Sequence, residues 1–285
     1  MILRPISGSQ ANLATDELAS QIKNTFISGH GATHGFEPAW SAIVRTQNAK
    51  ADRYVLIAQP DHAQLAGEMA AQFRAEFLPE TAAVYWKEIA VHDDGWQQFL
   101  AERDAGAAPE TTFGGYPLSF VEVPIEQAIE AWRGSIGAAE TVSPMGAYMV
   151  SGHFSRLGRG RLEARADDEQ RQKLLREFVT EEEGRQARLE PMLSAGQAEP
   201  RQFIDLLQLC DTLSLYVCCG ATSAVELPQR FGSTRLRVTF EDGIYTTHPS
   251  LFGRARQPDI EPLRFHIAAR YFPSNELTQL EIRIR

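Results

Sequence analysis

Phe203-Ile-Asp-Leu-Leu-Gln-Leu-Cys-Asp-Thr-Leu213 is the stretch whose reading decides the fold. Its apolar residues recur at helical spacing, so it predicts a buried helix from Pro200 to Cys219, stopped by Gly220. Asp211 lies four residues after Leu207 and three before Ser214, on the apolar face of that helix. A buried carboxylate left unpaired costs on the order of several kcal/mol, so Asp211 needs a cation or good hydrogen bonds.

Working outward, three other predicted helices place metal-competent side chains on apolar faces. Pro60 suits a first helical turn, and Leu65, Met69, Phe73 and Phe77 follow at steps of four. His62, three before Leu65, shares their face. A second helix is predicted from Thr81 to Asp94, stopped by Gly95; it carries the doublet His92-Asp93 after Ile89. Ser143-Pro144 is an N-cap and first-turn proline opening a helix through His153, which lies four after Met149. Neighbours on a helix point about 100° apart, so His92 and Asp93 can both reach one ion beside it. Imidazole nitrogens with carboxylate oxygens suit Fe, Mn, Zn or Ni better than Ca. The expected ligands are therefore His62, His92, Asp93 and Asp211, with His153 as a fifth ligand or an acid–base group. Asp94 is read first as an end-of-helix residue and second as a general base.

Elsewhere, Pro124 to Trp132 and the charged run Asp167 to Leu189 are predicted helical, and residues 102–120 a loop. Residues 2–6 suggest a strand, and residues 7–40 an insertion or mobile loop with a short helix around Asp16 to Phe26. Ala42–Gln47 and Arg53–Ala58 suggest a hairpin. After residue 230 the period becomes alternating, with strands expected at Leu236–Phe240, Leu263–Ile267 and Leu280–Ile284. One domain in three parts is expected: a β element with an inserted loop (1–58), a helical metal-binding core (59–225) and a β-rich extension (230–285).

The order of a His on one helix, a His-Asp doublet on the next and an Asp on a later one resembles the HD superfamily of metal-dependent phosphohydrolases. A wider set of segments resembles an uncharacterised bacterial group, domain-of-unknown-function family 3891. These are Ile57-Ala-Gln-Pro-Asp-His-Ala-Gln-Leu-Ala-Gly67, Ala90-Val-His-Asp-Asp-Gly-Trp96, Tyr116-Pro-Leu-Ser-Phe120, Val150-Ser-Gly-His-Phe154 and Leu209-Cys-Asp-Thr-Leu-Ser-Leu215. Residues 7–50 and the tail after 230 depart from that family's pattern. The resemblance implies a mostly α fold, an HD-like helical bundle with a small β element from the N-terminal hairpin and C-terminal strands. It implies metal ligands but no substrate; the expected function is a metal-dependent hydrolase, on a phosphate ester or nucleotide. The alternatives are an HD-like di-iron oxygenase, or a non-catalytic metal-stabilised binding protein. A second ion would need Glu181, Glu182, Glu183 or water, because histidines after His153 resume only at His248.

Composition narrows the partners. A formal charge of -9 argues against binding a nucleic-acid backbone but leaves a small anionic substrate open. No apolar run is long enough to span a bilayer, and the start lacks the order of a secretion signal. Cys210, Cys218 and Cys219 are odd in number and clustered, unlike a disulfide framework. A cytoplasmic, reduced protein is expected. Arg156, Arg159, Arg161 and Arg165 follow His153; a solvated basic loop is the plain reading, and a grip on an anionic substrate, by Arg156 and Arg159 first, is the functional one. Trp96 and the cysteines are expected in the core, Asp61 in a first helical turn, His30 and His34 in a loop, and His248 and His266 in structural or exposed positions.

Overall fold

Alternating segments late in the chain build more sheet than their number in the sequence predicts. The computed structural model describes residues 2–5, 54–78, 85–100, 117, 119–120, 123–164, 167–193, 199–231, 234–252 and 261–285. Its strands are β1 (Ile2–Pro5), β2 (Tyr54–Ile57), β3 (Val225–Phe231), β4 (Thr234–Glu241), β5 (Ile244–His248), β6 (Leu263–Phe272) and β7 (Leu277–Ile284). They form one seven-stranded sheet in the order β1-β2-β6-β7-β5-β4-β3, with β5 and β7 parallel and the other neighbours antiparallel. The helices α1 (Gln59–Ala70), α2 (Trp86–Ala90), α3 (Ile125–Val142), α4 (Pro144–Ala164), α5 (Glu169–Leu193) and α6 (Arg201–Cys218) all lie between β2 and β3 in the chain.

This corrects the expected fold class. The protein is not a helical bundle with a small β element, because helices share the molecule with a mixed sheet that joins both ends of the chain. β2 sits between β1 and β6, so the first and last parts of the chain belong to one sheet. Two strands, β3 and β5, escape the sequence reading. The signal for β4–β5 is Asp242-Gly243, a two-residue turn with φ of 50° and 76°, as a tight hairpin demands. The partner of β2 is β1, about fifty residues upstream; Ala42–Gln47, the expected hairpin strand, lies outside the described residues, as does the region around Asp16 to Phe26.

On β6 the alternation is plain: Phe265, Ile267 and Ala269 are buried, while Arg264, His266 and Ala268 face solvent. The buried face packs into the same core as the helices, where Ile2, Val55 and Ile57 of the sheet join Leu65 and Met69 of α1. α1 packs on β6, and α6 on β1 and β3. The sheet thus supports the two helices that carry His62 and Asp211. On the far side α3, α4 and α5 close on one another, with Trp132 stacked on Phe154 at 5.4 Å and beside Phe178.

Several helix bounds shift. α1 ends at Ala70, short of Phe73 and Phe77; Phe73 instead pairs with Phe252 across a lone β-bridge. α3 runs on to Val142, past Trp132. α4 runs on to Ala164, so Arg156, Arg159 and Arg161 lie on a helix rather than a loop, and Arg165 falls outside the described residues. No helix of the described residues is long and apolar enough to cross a membrane.

Candidate metal centre

Three elements bring the central residues together. α1 opens with Pro60 in its first turn and Asp61 beside it, and turns His62 inward, fully buried. α2 ends at Ala90, so His92 and Asp93 sit in the turn between α2 and a short 3-10 helix, Asp94–Phe99, not on a helix reaching Asp94 as the sequence suggests. Gly95 is therefore no helix stop. A Cβ on it would lie 1.9 Å from the Ala131 carbonyl oxygen of α3, and its N–H donates to Ser135 Oγ at 3.0 Å. Only a glycine lets this turn press so closely on α3. Gly67 plays a similar part between α1 and α2, where a Cβ would meet that of Ala90 at 2.6 Å. α6 supplies Asp211, buried as expected.

The donor atoms converge. Nε2 of His62 is 2.8 Å from Asp93 Oδ2 and 3.8 Å from Asp211 Oδ1. Nε2 of His92 is 3.4 Å from Asp211 Oδ1 and 3.8 Å from Asp93 Oδ2. Ligand bonds of about 2.1 Å put neighbouring donor atoms about 3.0 Å apart in an octahedral set and about 3.4 Å apart in a tetrahedral one. One ion among these atoms thus requires adjustments of well under 1 Å for most pairs. His62, His92 and Asp211 form a group whose donor atoms all lie within 4.8 Å of one another and which could hold a metal ion. Asp93 attaches to it through His62.

The far nitrogens are engaged. His92 Nδ1 lies 2.7 Å from the Ile89 carbonyl oxygen, which can only accept, so Nδ1 carries a hydrogen. Its Nε2 is buried with no well-formed hydrogen bond. His62 Nδ1 lies 2.9 Å from Ser214 Oγ, and that hydroxyl is also 2.9 Å from the Asp211 carbonyl oxygen. This is the arrangement metal-binding histidines show, one nitrogen held by the protein and the other presented. Among the described residues, the ion partners of Asp93 and Asp211 are these two histidines, with no Lys or Arg.

The electrostatics follow from two acids facing buried imidazoles. Burial works to lower the pKa of His92, yet Asp93 and Asp211 outweigh it and carry it up to about 9. Burial works to raise the Asp211 carboxyl, but His92, His153 and His62 hold it below its ordinary value. His153 is pushed down to about 4 by burial and is neutral near pH 7. Its ring lies edge-on to that of His92, with centroids 5.6 Å apart, and its Nδ1 is buried without a hydrogen bond. Asp94, half-buried beside the doublet, has its carboxyl raised by burial.

Other candidates fall elsewhere. Arg156 donates to Asp205 Oδ1 at 2.6 Å and to Gln208, and Arg159 donates to Glu183, so both guanidinium groups have acidic partners. Glu181 pairs with Arg133, Glu182 with Arg185 and Glu183 with Arg159, while Glu182 Oε1 is buried without a hydrogen bond. Trp96 and the three cysteines are buried, the cysteines as free thiols. His248 and His266 are exposed on the sheet, and His30 and His34 lie outside the described residues. Ser214 was missed as a site residue; its spacing one turn after Asp211, on the same helical face, is the signal that marks it.

No curated protein and no solved structure matches this chain. The protein family described as a protein of unknown function, DUF3891, matches residues 43–258, which takes in β4 and β5 of the tail expected to depart from it. That span covers the ligand-bearing segments and well over half of the chain, which therefore belongs to the DUF3891 family.

Proposed function

We propose that this protein is a metal-dependent hydrolase acting on a small phosphate ester or nucleotide. The observation that carries the reading is the convergence of two imidazole Nε2 atoms and two carboxylates, buried, with no Lys or Arg to balance the acids among the described residues. His62, His92, Asp93 and Asp211 would hold one divalent ion, and this donor chemistry suits Fe, Mn, Zn or Ni. When bound, such an ion acidifies water and polarises a phosphoryl oxygen.

The chain's own groups do the rest. His153 is a neutral imidazole beside the cluster with Nδ1 unengaged, so it can take up or hand on a proton there. Asp94, with its carboxyl raised, is the second proton-handling group. Arg156, one turn beyond His153 on α4, is the nearer anion-binding side chain, and Arg159 lies one turn further; a substrate anion has to compete with Asp205 and Glu183 for them. The ligand order supports a likeness in donor set, not in fold, to the HD phosphohydrolases. The test loads the protein separately with Mn, Fe, Zn and Ni and assays phosphate mono- and diesters and nucleotides. Turnover that falls to background in Asp211→Asn is expected. A fully loaded wild type inert to the whole panel overturns the hydrolase.

One observation favours a second reading, a metal that only stabilises a binding protein. The two histidine side chains are 0% exposed and the two carboxylates 6%, a narrow opening for substrate. A closed, fully coordinated ion is the mark of a structural site. Stoichiometric metal with no turnover and no exchangeable water on the ion supports it.

A further inference from the structure

We infer that Ser214 is a positioning residue that sets which nitrogen of His62 carries its hydrogen, and so whether His62 can bind metal. The inference rests on the metal reading of the site. The Ser214 hydroxyl has one hydrogen and two neighbours at the same distance, His62 Nδ1 and the Asp211 carbonyl oxygen, each 2.9 Å away. Directed at His62, the hydroxyl donates to Nδ1, and His62 then bears its hydrogen on Nε2 and donates to Asp93 Oδ2, 2.8 Å away. Directed at the Asp211 carbonyl, the hydroxyl becomes an acceptor for Nδ1–H, and Nε2 is left with a bare lone pair aimed at the cluster. His62 holds one hydrogen in both arrangements, moved from Nε2 to Nδ1, so the change is balanced without an added proton.

His92 has no such choice, because the Ile89 carbonyl oxygen can only accept. One histidine keeps a hydrogen on Nδ1 throughout, so Nε2 is always its ligating nitrogen, and the other is set by a hydroxyl that serves the free and the loaded site alike. Ser214 is 0% exposed, so water does not stand in for it. Asp211 and Ser214, one turn apart, thus act together: the first as ligand, the second as the hydroxyl that orients the facing ligand on α1.

The experiment uses the full chain. Zinc affinity is measured by competition with a chromophoric chelator for wild type, Ser214→Ala, Ser214→Thr and His62→Ala, with the melting temperature of each metal-free protein. Loss of a group that orients a metal-binding histidine weakens binding about 10–100-fold. That loss is expected in Ser214→Ala, with recovery in Ser214→Thr and little change in the metal-free melting temperature. Nitrogen-15 NMR of histidine-labelled wild type reads the state without any substitution: the hydrogen on Nε2 of His62 when metal-free, and on Nδ1 when zinc-loaded. Ser214→Ala binding zinc as tightly as wild type, or His62 holding one tautomer in both states, overturns the inference while leaving the metal centre standing. Parallel losses of affinity and of metal-free stability overturn it in favour of simple packing. A wild type that takes up none of zinc, iron, manganese and nickel overturns the metal centre itself, and this inference with it.

Discussion

Two of the buried places that hold carboxylates are balanced differently. Between α4 and α5, Glu182 is fully buried, and its Oε2 accepts from Arg185 Nε at 2.9 Å; Arg185 reaches out to Glu140 as well. At the other place the ion partners of Asp93 and Asp211 among the described residues are His62 and His92, with His153 close by. A guanidinium is charged at every working pH, so Glu182 keeps a permanent counter-charge through Oε2, although its Oε1 is buried without a hydrogen bond. A histidine can give up its proton and offer a lone pair, so the Asp93–Asp211 corner can exchange protons for a metal. The kind of counter-charge, more than burial, separates a structural ion pair from a ligand set.

The largest test of that contrast removes one acid from each place. Asp211→Asn is expected to lose stoichiometric metal, read by elemental analysis after purification without chelator. Glu182→Gln is expected to keep its metal and lose about 1–3 kcal/mol of stability, the cost of weakening one buried charge-assisted contact. Metal lost equally from both variants erases the distinction.

A second test moves the frame rather than the ligands. Gly95→Ala forces a methyl group into the Ala131 carbonyl, so the turn bearing His92 and Asp93 must retreat from α3. Overpacking of this kind costs about 1–3 kcal/mol, and metal affinity should fall with stability. Gly137→Ala, inside α3 where a Cβ meets nothing within 4 Å, serves as the control: metal affinity should hold and stability should rise by up to about 1 kcal/mol.

The smallest effect is one of pH. His92 is raised from 6.5 to about 9, so its share of metal-free stability is complete below pH 6.5 and is lost as pH rises through 9. His153 is lowered from 6.5 to about 4, so its share is complete above 6.5 and is lost as pH falls toward 4. From these two groups the metal-free protein is most stable near pH 6.5. Metal must displace the His92 proton, so the shift in melting temperature on adding metal grows from pH 6.5 to 9. Metal-free and loaded melting curves across that range check both signs; a metal shift that shrinks with rising pH contradicts the exchange.

Much of the site was legible because helical periodicity is a local property. Leu207, Asp211 and Ser214 share a face whatever the rest of the chain does, and the same holds for His62 with Leu65. The error over Gly95 has the opposite cause. A glycine after a helical run reads as a stop, and only the approach of Ala131 and Ser135 reveals that it is there for space. The arginines after His153 illustrate a third limit, since their acidic partners Asp205 and Glu183 lie on other helices.

By itself the sequence determined that His62, His153 and Asp211 would occupy apolar helix faces, because burial follows from spacing along one element. The tertiary structure alone decided that β1 and β2 would join the C-terminal strands in one sheet, since strand pairing is set by distant partners. It alone also decided that His62 would meet Ser214 and Asp93 at hydrogen-bond distance, 152 and 31 residues away, because the close packing of α1, α6 and the turn after α2 fixes those contacts.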